Sequence, residues 1–348
     1  MTLKRSTWSL ILVGIAGLMS AECNRQSPAT SLPPAATVTA GSAAKNGAGT
    51  IERLDPTLDA LIAPGAVIEK VAGGFKFTEG PLWRADGTLW FSDLQGNVVR
   101  SVTPDGKVTV LIETAGGAST APPDSFIGPN GMAEAPDGSV WVAQHTNRQI
   151  ARIAPDRTMT PMVSKFEGHR FNSPNDLVFA KDGSLYFTDP PYGLLKQDQD
   201  PAKEITFNGV YRFANGRVQA VVRDLNRPNG LAFSPDSKVL YVNNSDPAKN
   251  LVMRYDVAAD GTLSGGRVFA DLTSKIDGLA DGLKVDAQGN VYTAGPGGLW
   301  ILSPAGKHLG TIAPPEVPAN CGWGEDGKTL YMTAVTGIYR IRTLVGTK

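Results

Sequence analysis

The chain has 348 residues with 33 basic and 33 acidic side chains, so its formal net charge is zero. No basic stripe breaks this balance, which argues against nucleic acid as a partner, and three histidines with two cysteines cannot be assembled into zinc or haem spacing. The 39 glycines and 25 prolines supply turns, and no long 3.6-residue periodicity is present, so helix content is expected to be very low.

In chain order, Lys4 and Arg5 precede an apolar run from Trp8 to Met19. That run is too short to cross a bilayer but suits the core of a secretory signal peptide, and residues 1–23 are read as one. Leu18 to Cys23 is similar to a bacterial lipoprotein cleavage site, with Cys23 as the residue to be acylated, although Glu22 departs from the small residue expected there. The expectation is export, either to the periplasm or to a lipid anchor on the bacterial envelope. Residues 24–58 are rich in Ala, Pro, Ser and Thr and read as a disordered tether, because so few large apolar side chains cannot offset the entropy of ordering. Cys321 is then expected as a buried free thiol.

Residues 59–345 carry a repeat. A polar residue lies upstream of an acidic or amide turn residue in six copies: Glu79, Asn130, Asn175, Asn229, Asp281 and Asn320 before Asp86, Asp137, Asp182, Asp236, Gln288 and Asp326. The separation is seven residues in five copies and six in the last. Each copy reads as a hairpin, as in EGPLWRADGTLWFSD from Glu79 to Asp93, because Asp-Gly between alternating apolar stretches accepts the backbone of a tight turn. A second pair of candidate strands follows each hairpin, which makes four strands per copy and predicts an all-β, six-bladed propeller. The sixth copy stops after its third strand at Gly337–Thr343, so Ala66–Val71 is expected to supply the missing one and close the ring.

The same phase in every copy points to the same place, the central axis. Two carboxylates and four carboxamides would face one another there, an all-oxygen set that suits a hard cation such as Ca²⁺ and has little use in an apolar core. His145 begins a loop near the mouth of this channel, and Tyr192 lies in a proline-fixed loop that could shape its wall.

FTEGPLW at Phe77–Trp83, SPNDL at Ser173–Leu177, YFTDPPYGL at Tyr186–Leu194, RPNGLAFSPD at Arg227–Asp236 and DGLKVDAQGNVY at Asp281–Tyr292 carry a resemblance. Together they resemble the bacterial gluconolactonase branch of the senescence-marker-protein/gluconolactonase/luciferin-regenerating-enzyme family. The resemblance implies a six-bladed propeller with one divalent metal on its axis, Ca²⁺ first and Mg²⁺, Mn²⁺ or Zn²⁺ as alternatives, and a lactone as substrate. It assigns Glu79, Asn229 and Asp281 to the metal, Asn175 to metal or substrate, and Asp176 to catalysis. In the animal members an arginine precedes this asparagine by two residues and binds the sugar acid; Ser173 stands there instead, which weakens the case for a gluconolactone-type substrate.

Polarising a lactone carbonyl requires a cation held by charges that leave it electrophilic, which two carboxylates and two carboxamides provide. Either Asp281 or Asp176 could activate the attacking water, and the sequence does not separate them. Asn130, Asn175, Asn320, His145 and Tyr192 are the expected substrate contacts. Two other functions use the same fold: phosphotriester or fluorophosphate hydrolysis on the same metal, and a non-catalytic propeller that binds a partner on its loop face. The last has no need of Glu79 and Asp281 on the axis.

Overall fold

The computed structural model describes residues 47–347. The signal segment, Cys23 and the first part of the tether lie outside the described residues.

Each repeat folds as an antiparallel blade. In the first, Thr78–Trp83, Leu89–Asp93, Val98–Val102 and Val108–Glu113 pair in chain order, and the second to fourth blades repeat that order. The hairpins form where the sequence places Asp-Gly. The Oδ1 of Asp86 accepts from the N–H and hydroxyl of Thr88 at 3.1 and 2.7 Å, while Gly87 takes φ of 80°, a region that costs glycine nothing. Asp137 with Ser139 and Asp182 with Ser184 repeat the device.

The innermost strand of each blade touches that of the next, and the sixth touches the first, so the blades form a ring. The second strands of every blade but the fourth are buried along their whole length, because a neighbouring blade covers each face. Between the second and third blades, Trp141, Phe166, Phe171, Phe187 and Tyr211 fill the wedge. Phe171 meets Phe187 and Tyr211 edge to face at centroid distances of 5.1 Å.

Ring closure follows the expectation with a shift of two residues. Ile68–Gly73 pairs with Gly337–Arg342, setting Ile68 opposite Ile341 and Gly73 opposite Gly337. Cys321 is fully buried and forms no disulfide among the described residues; Cys23, the other cysteine, lies outside them.

The tether ends earlier than residue 58. Thr50–Arg53 pairs with His308–Ala313 and gives the fifth blade a fifth strand, so not every blade is four-stranded. A 3₁₀ turn at Pro56–Ala60 follows, capped by Asp55, whose Oδ1 accepts from Thr57 N–H at 2.8 Å. Leu58 and Ile62 are completely buried against Leu299 and Ile312. Segment-averaged composition hid these apolar anchors, and the otherwise unpaired edge of the fifth blade offered the backbone partners that order the segment.

Candidate active site

Local backbone irregularity accompanies the six repeat-phase residues, five of which line one cavity. In four blades the pairing of the innermost strand breaks register beside them, between Glu79 and Leu82, Pro129 and Met132, Pro228 and Leu231, and Pro318 and Asn320. Such a bulge releases a residue from the ladder and re-aims its side chain. In the third and fifth blades the strand begins only after the axial pair, at Leu177–Phe179 and Leu283–Val285.

The residue after the axial position is glycine in four copies because the next blade passes through the space of a side chain. A Cβ on Gly80 would lie 2.2 Å from the Asn130 carbonyl oxygen, and one on Gly282 would lie 1.9 Å from Asn320 Cγ. That closeness lets neighbouring blades hydrogen-bond to each other beside the axis, Gly131 N–H to Asn175 O at 2.8 Å and Gly282 N–H to Ala319 O at 2.7 Å. Asp176 and Cys321 hold the same position in the third and sixth copies.

Glu79, Asn130, Asn175, Asn229 and Asp281 line one cavity of about 160 Å³, together with His145 and Tyr192. Asn320 and Asp176 do not line it; they stand behind its wall. Asn320 Nδ2 donates to Glu79 Oε2 at 3.0 Å while its Oδ1 accepts from Cys321 N–H at 2.9 Å, so both amide ends are engaged and this residue orients Glu79. Asp176 Oδ1 accepts from Leu177 N–H at 2.8 Å, and its Oδ2 is buried without a partner.

Burial dominates the electrostatics, and like charges add to it. Burial raises the Glu79 carboxyl to about 7, outweighing the bonds from Asn320 and Gly80, and Asp176 adds to the rise. Asp281 is raised well above the carboxylate range, first by burial and then by the charges of Glu79 and Asp176. No lysine or arginine lines the cavity. Among the described residues no group of three or more His, Cys, Asp or Glu side chains is placed to hold a metal ion. A cation here would have to take carboxamide oxygens beside the two carboxylates. The neighbouring groups leave such oxygens available, which satisfies the chemistry of a hard cation.

His145 fixes one of these carboxamides. Its Nδ1 lies 3.1 Å from the Phe126 carbonyl oxygen, which can only accept, so Nδ1 carries the proton. Nε2 therefore accepts from Asn130 Nδ2 at 3.3 Å, leaving Asn130 Oδ1 buried with no protein partner. Burial lowers the imidazole to about 4, so the ring is neutral and both of its nitrogens are engaged. Ser245 acts likewise on Asn229. Its hydroxyl donates to Ala280 O and accepts from Asn229 Nδ2 at 3.0 Å, which turns Asn229 Oδ1 the other way.

Tyr192 reaches the cavity on the loop after the second strand of the third blade. Ser173 clasps that loop, donating to Pro190 O at 2.6 Å and accepting from Gly193 N–H at 2.8 Å. Burial, then the Asp281 carboxylate, pushes the Tyr192 phenol up. Sequence reasoning missed Phe77, Leu94, Phe126, Ser245 and Leu279 on the cavity wall. The repeat contains the signal for most of them. Phe77 and Leu279 precede the axial residues by two, and Leu94, His145 and Ser245 follow them by 15 or 16. A larger cavity of about 470 Å³ lies away from the axis around Asn208, Arg227 and Asp246, and no axial residue lines it.

Residues 77–336 match the family model described as SMP-30/Gluconolactonase/LRE-like region. The chain is 39% identical over 334 residues to the gluconolactonase of Zymomonas mobilis, covering 91% of this chain and 94% of that protein. The solved structure of a gluconolactonase from Xanthomonas campestris superposes with a TM-score of 0.77 at 31% identity, covering 88% of this chain and 99% of that one. The diisopropyl-fluorophosphatase of Loligo vulgaris is 24% identical over 195 residues, 52% of this chain and 60% of that protein. Sequence match, blade order and ring closure agree, and the chain belongs to the SMP-30/gluconolactonase/LRE-like family.

Proposed function

We propose that this protein is a lactone hydrolase whose axial residues hold one divalent cation, with Ca²⁺ as the ion their ligand chemistry suits best. The observation that carries this is the meeting of Glu79, Asp281, Asn175 and Asn229 on one cavity with no cationic side chain to neutralise it. Two buried like charges rarely persist without a counter-charge. Activity of the gluconolactonase type agrees with the relatives from Zymomonas mobilis and Xanthomonas campestris.

When bound, the cation would draw electron density from the lactone carbonyl and stabilise the charge that develops on its oxygen. Glu79 and Asp281 would hold it through carboxylates, Asn175 and Asn229 through amide oxygens. Asn320 keeps Glu79 in place. Asp281 takes a proton from the attacking water as oxygen bonds to the carbonyl carbon. It returns that proton to the ring oxygen as the ring C–O bond breaks, and the product is a hydroxy acid. Asp281 is preferred to Asp176 as base because its carboxyl reaches the cavity. Asn130 Oδ1, free of protein partners, accepts from substrate or water.

The test is lactone hydrolysis against a panel after EDTA treatment and re-addition of Ca²⁺, Mg²⁺, Mn²⁺ or Zn²⁺. Activity lost with EDTA and restored by Ca²⁺ is expected. Hydrolysis unaffected by exhaustive metal removal would overturn the metal assignment. Hydrolysis of diisopropyl fluorophosphate but of no lactone would overturn the reaction class.

A further inference from the structure

The turn between the third and fourth strands has one construction in the first, second, fourth and fifth blades. At residues 103–107, 154–158, 258–262 and 303–307 the first N–H donates to the fifth carbonyl and the fourth N–H to the first. The fourth residue takes positive φ, and three of these turns use glycine for it: Gly106 at 90°, Gly261 at 80° and Gly306 at 83°. The second blade places Arg157 there, at 71°. A side chain in the left-handed region is strained where glycine is not, so the turn itself gives no reason for arginine.

The Arg157 side chain reaches across to the first blade, where its guanidinium carbon lies 4.3 Å from the centre of the Trp90 ring. Arg84 brings a second guanidinium to 5.3 Å from the same ring. Both line a groove of about 410 Å³ between the first two blades, at the ends of the inner strands remote from Glu79 and Asn130. Arg152, also on the groove, lies 3.7 Å from Asp137 Oδ2, too far for a hydrogen bond. Arg84 is held by Glu134 and by Gly138 O at 3.3 Å. Arg157 makes no salt bridge or hydrogen bond among the described residues. Asp86 and Asp137 stand on the rim with Oδ1 engaged in their own turns, so the cations outnumber them.

The indole adds an unmet donor. Every blade carries an aromatic residue at the position of Trp90, and the others mostly satisfy their polar tips. Trp141 donates to Ser139 Oγ at 3.2 Å, Tyr186 to Gly261 O at 2.6 Å and Tyr331 to Glu325 Oε1 at 2.7 Å. Trp90 is only 5% exposed, and its Nε1 is buried with no partner among the described residues. A buried N–H without an acceptor is costly, and this one borders a groove where guanidiniums gather.

We propose that the groove between the first and second blades binds the phosphate group of a small soluble molecule, as free phosphate or a phosphate monoester. Donors from Arg157, Arg84, Arg152 and Trp90 come from separate strands and turns, so they suit the several oxygens of a tetrahedral anion better than the two of a carboxylate. The site is independent of the axial cavity and of the reaction proposed there.

Calorimetric titration of the full chain tests this after EDTA treatment, so that phosphate cannot bind through an axial cation. Inorganic phosphate and glycerol 3-phosphate are expected to bind with Kd of about 1 mM or below, and gluconate at least about tenfold more weakly. Arg157→Gly suits the turn and Arg157→Asn tolerates its φ. Each is expected to raise the phosphate Kd about tenfold or more, with Tm in phosphate-free buffer close to that of the wild type. Trp90→Phe, which keeps the ring and removes the N–H, is expected to raise it about threefold or more. Wild type that binds no phosphate at about 10 mM, or Arg157 variants that keep its affinity, would overturn the site and leave Arg157 as a packing group on Trp90. Gluconate binding as tightly as phosphate would overturn the ligand class. Binding to phosphatidylglycerol vesicles through Arg157, with both free phosphates inert, would overturn the soluble ligand in favour of a lipid headgroup.

Discussion

His145 Nε2 accepts from Asn130 Nδ2 at 3.3 Å, and that single bond decides which end of the Asn130 amide faces the axis. The imidazole can do this because burial lowers it to about 4 and keeps it neutral, with its proton on Nδ1 toward Phe126 O. His145→Leu should free the amide to turn. The expected result is a KM increase of about five- to tenfold with kcat changed much less, since the lost contact serves binding. A kcat loss of orders of magnitude at unchanged KM would make His145 a proton-transfer group instead.

Asp281→Asn removes a charge from the cation and the proposed base together. Turnover should fall by about two to four orders of magnitude. The blades should stay folded, and in EDTA at pH 8 the variant should melt above the wild type, because one of the mutually repelling carboxylates is gone. Near wild-type lactonase activity at saturating metal would remove both roles from this residue.

The Glu79 carboxyl, raised to about 7 by burial, links stability to pH with a defined sign. The folded state binds its proton more tightly than the unfolded chain does. The metal-free protein therefore has its full contribution from this group below pH about 4.5 and loses it as pH rises through about 7. Denaturant unfolding in EDTA should show wild type losing stability relative to Glu79→Gln across that interval. Since the proton competes with a cation, Ca²⁺ affinity measured by calorimetry should rise across the same interval by up to about tenfold per pH unit for each proton displaced.

Gly282→Ala places a methyl group where Asn320 stands, 1.9 Å from its Cγ. Asn320 must shift and release Glu79 Oε2. A stability loss of about 1–3 kcal/mol is expected, together with weaker Ca²⁺ binding. Gly87→Ala, in an exposed turn with nothing within 4 Å of the added Cβ, should show backbone strain alone and keep the affinity.

Leu58→Ala tests the ordered end of the tether. Leu58 is fully buried under the fifth blade, so truncation should cost about 2–5 kcal/mol in urea unfolding. A change below about 0.5 kcal/mol would mean the segment does not dock.

The repeat was legible because a propeller imposes one phase on every blade. Periodicity in the chain maps directly onto rotation about the axis, so Glu79, Asn130, Asn175, Asn229 and Asp281 could be placed on one channel before any coordinates. Closure by a strand near residue 68 was equally legible, since a blade with three strands of its own leaves an edge unpaired. What only the tertiary structure decided lies between repeats. The depth of Asn320 and Asp176 behind the wall depends on how neighbouring inner strands bulge and approach, which a single repeat does not encode. The roles of His145 and Ser245 follow from which carbonyl each meets across a loop. The docking of Thr50–Arg53 required the edge of the fifth blade, formed by residues about 250 positions later in the chain. Local pattern determines strands and their phase; hydrogen-bond partners and burial arise from contacts distant in sequence.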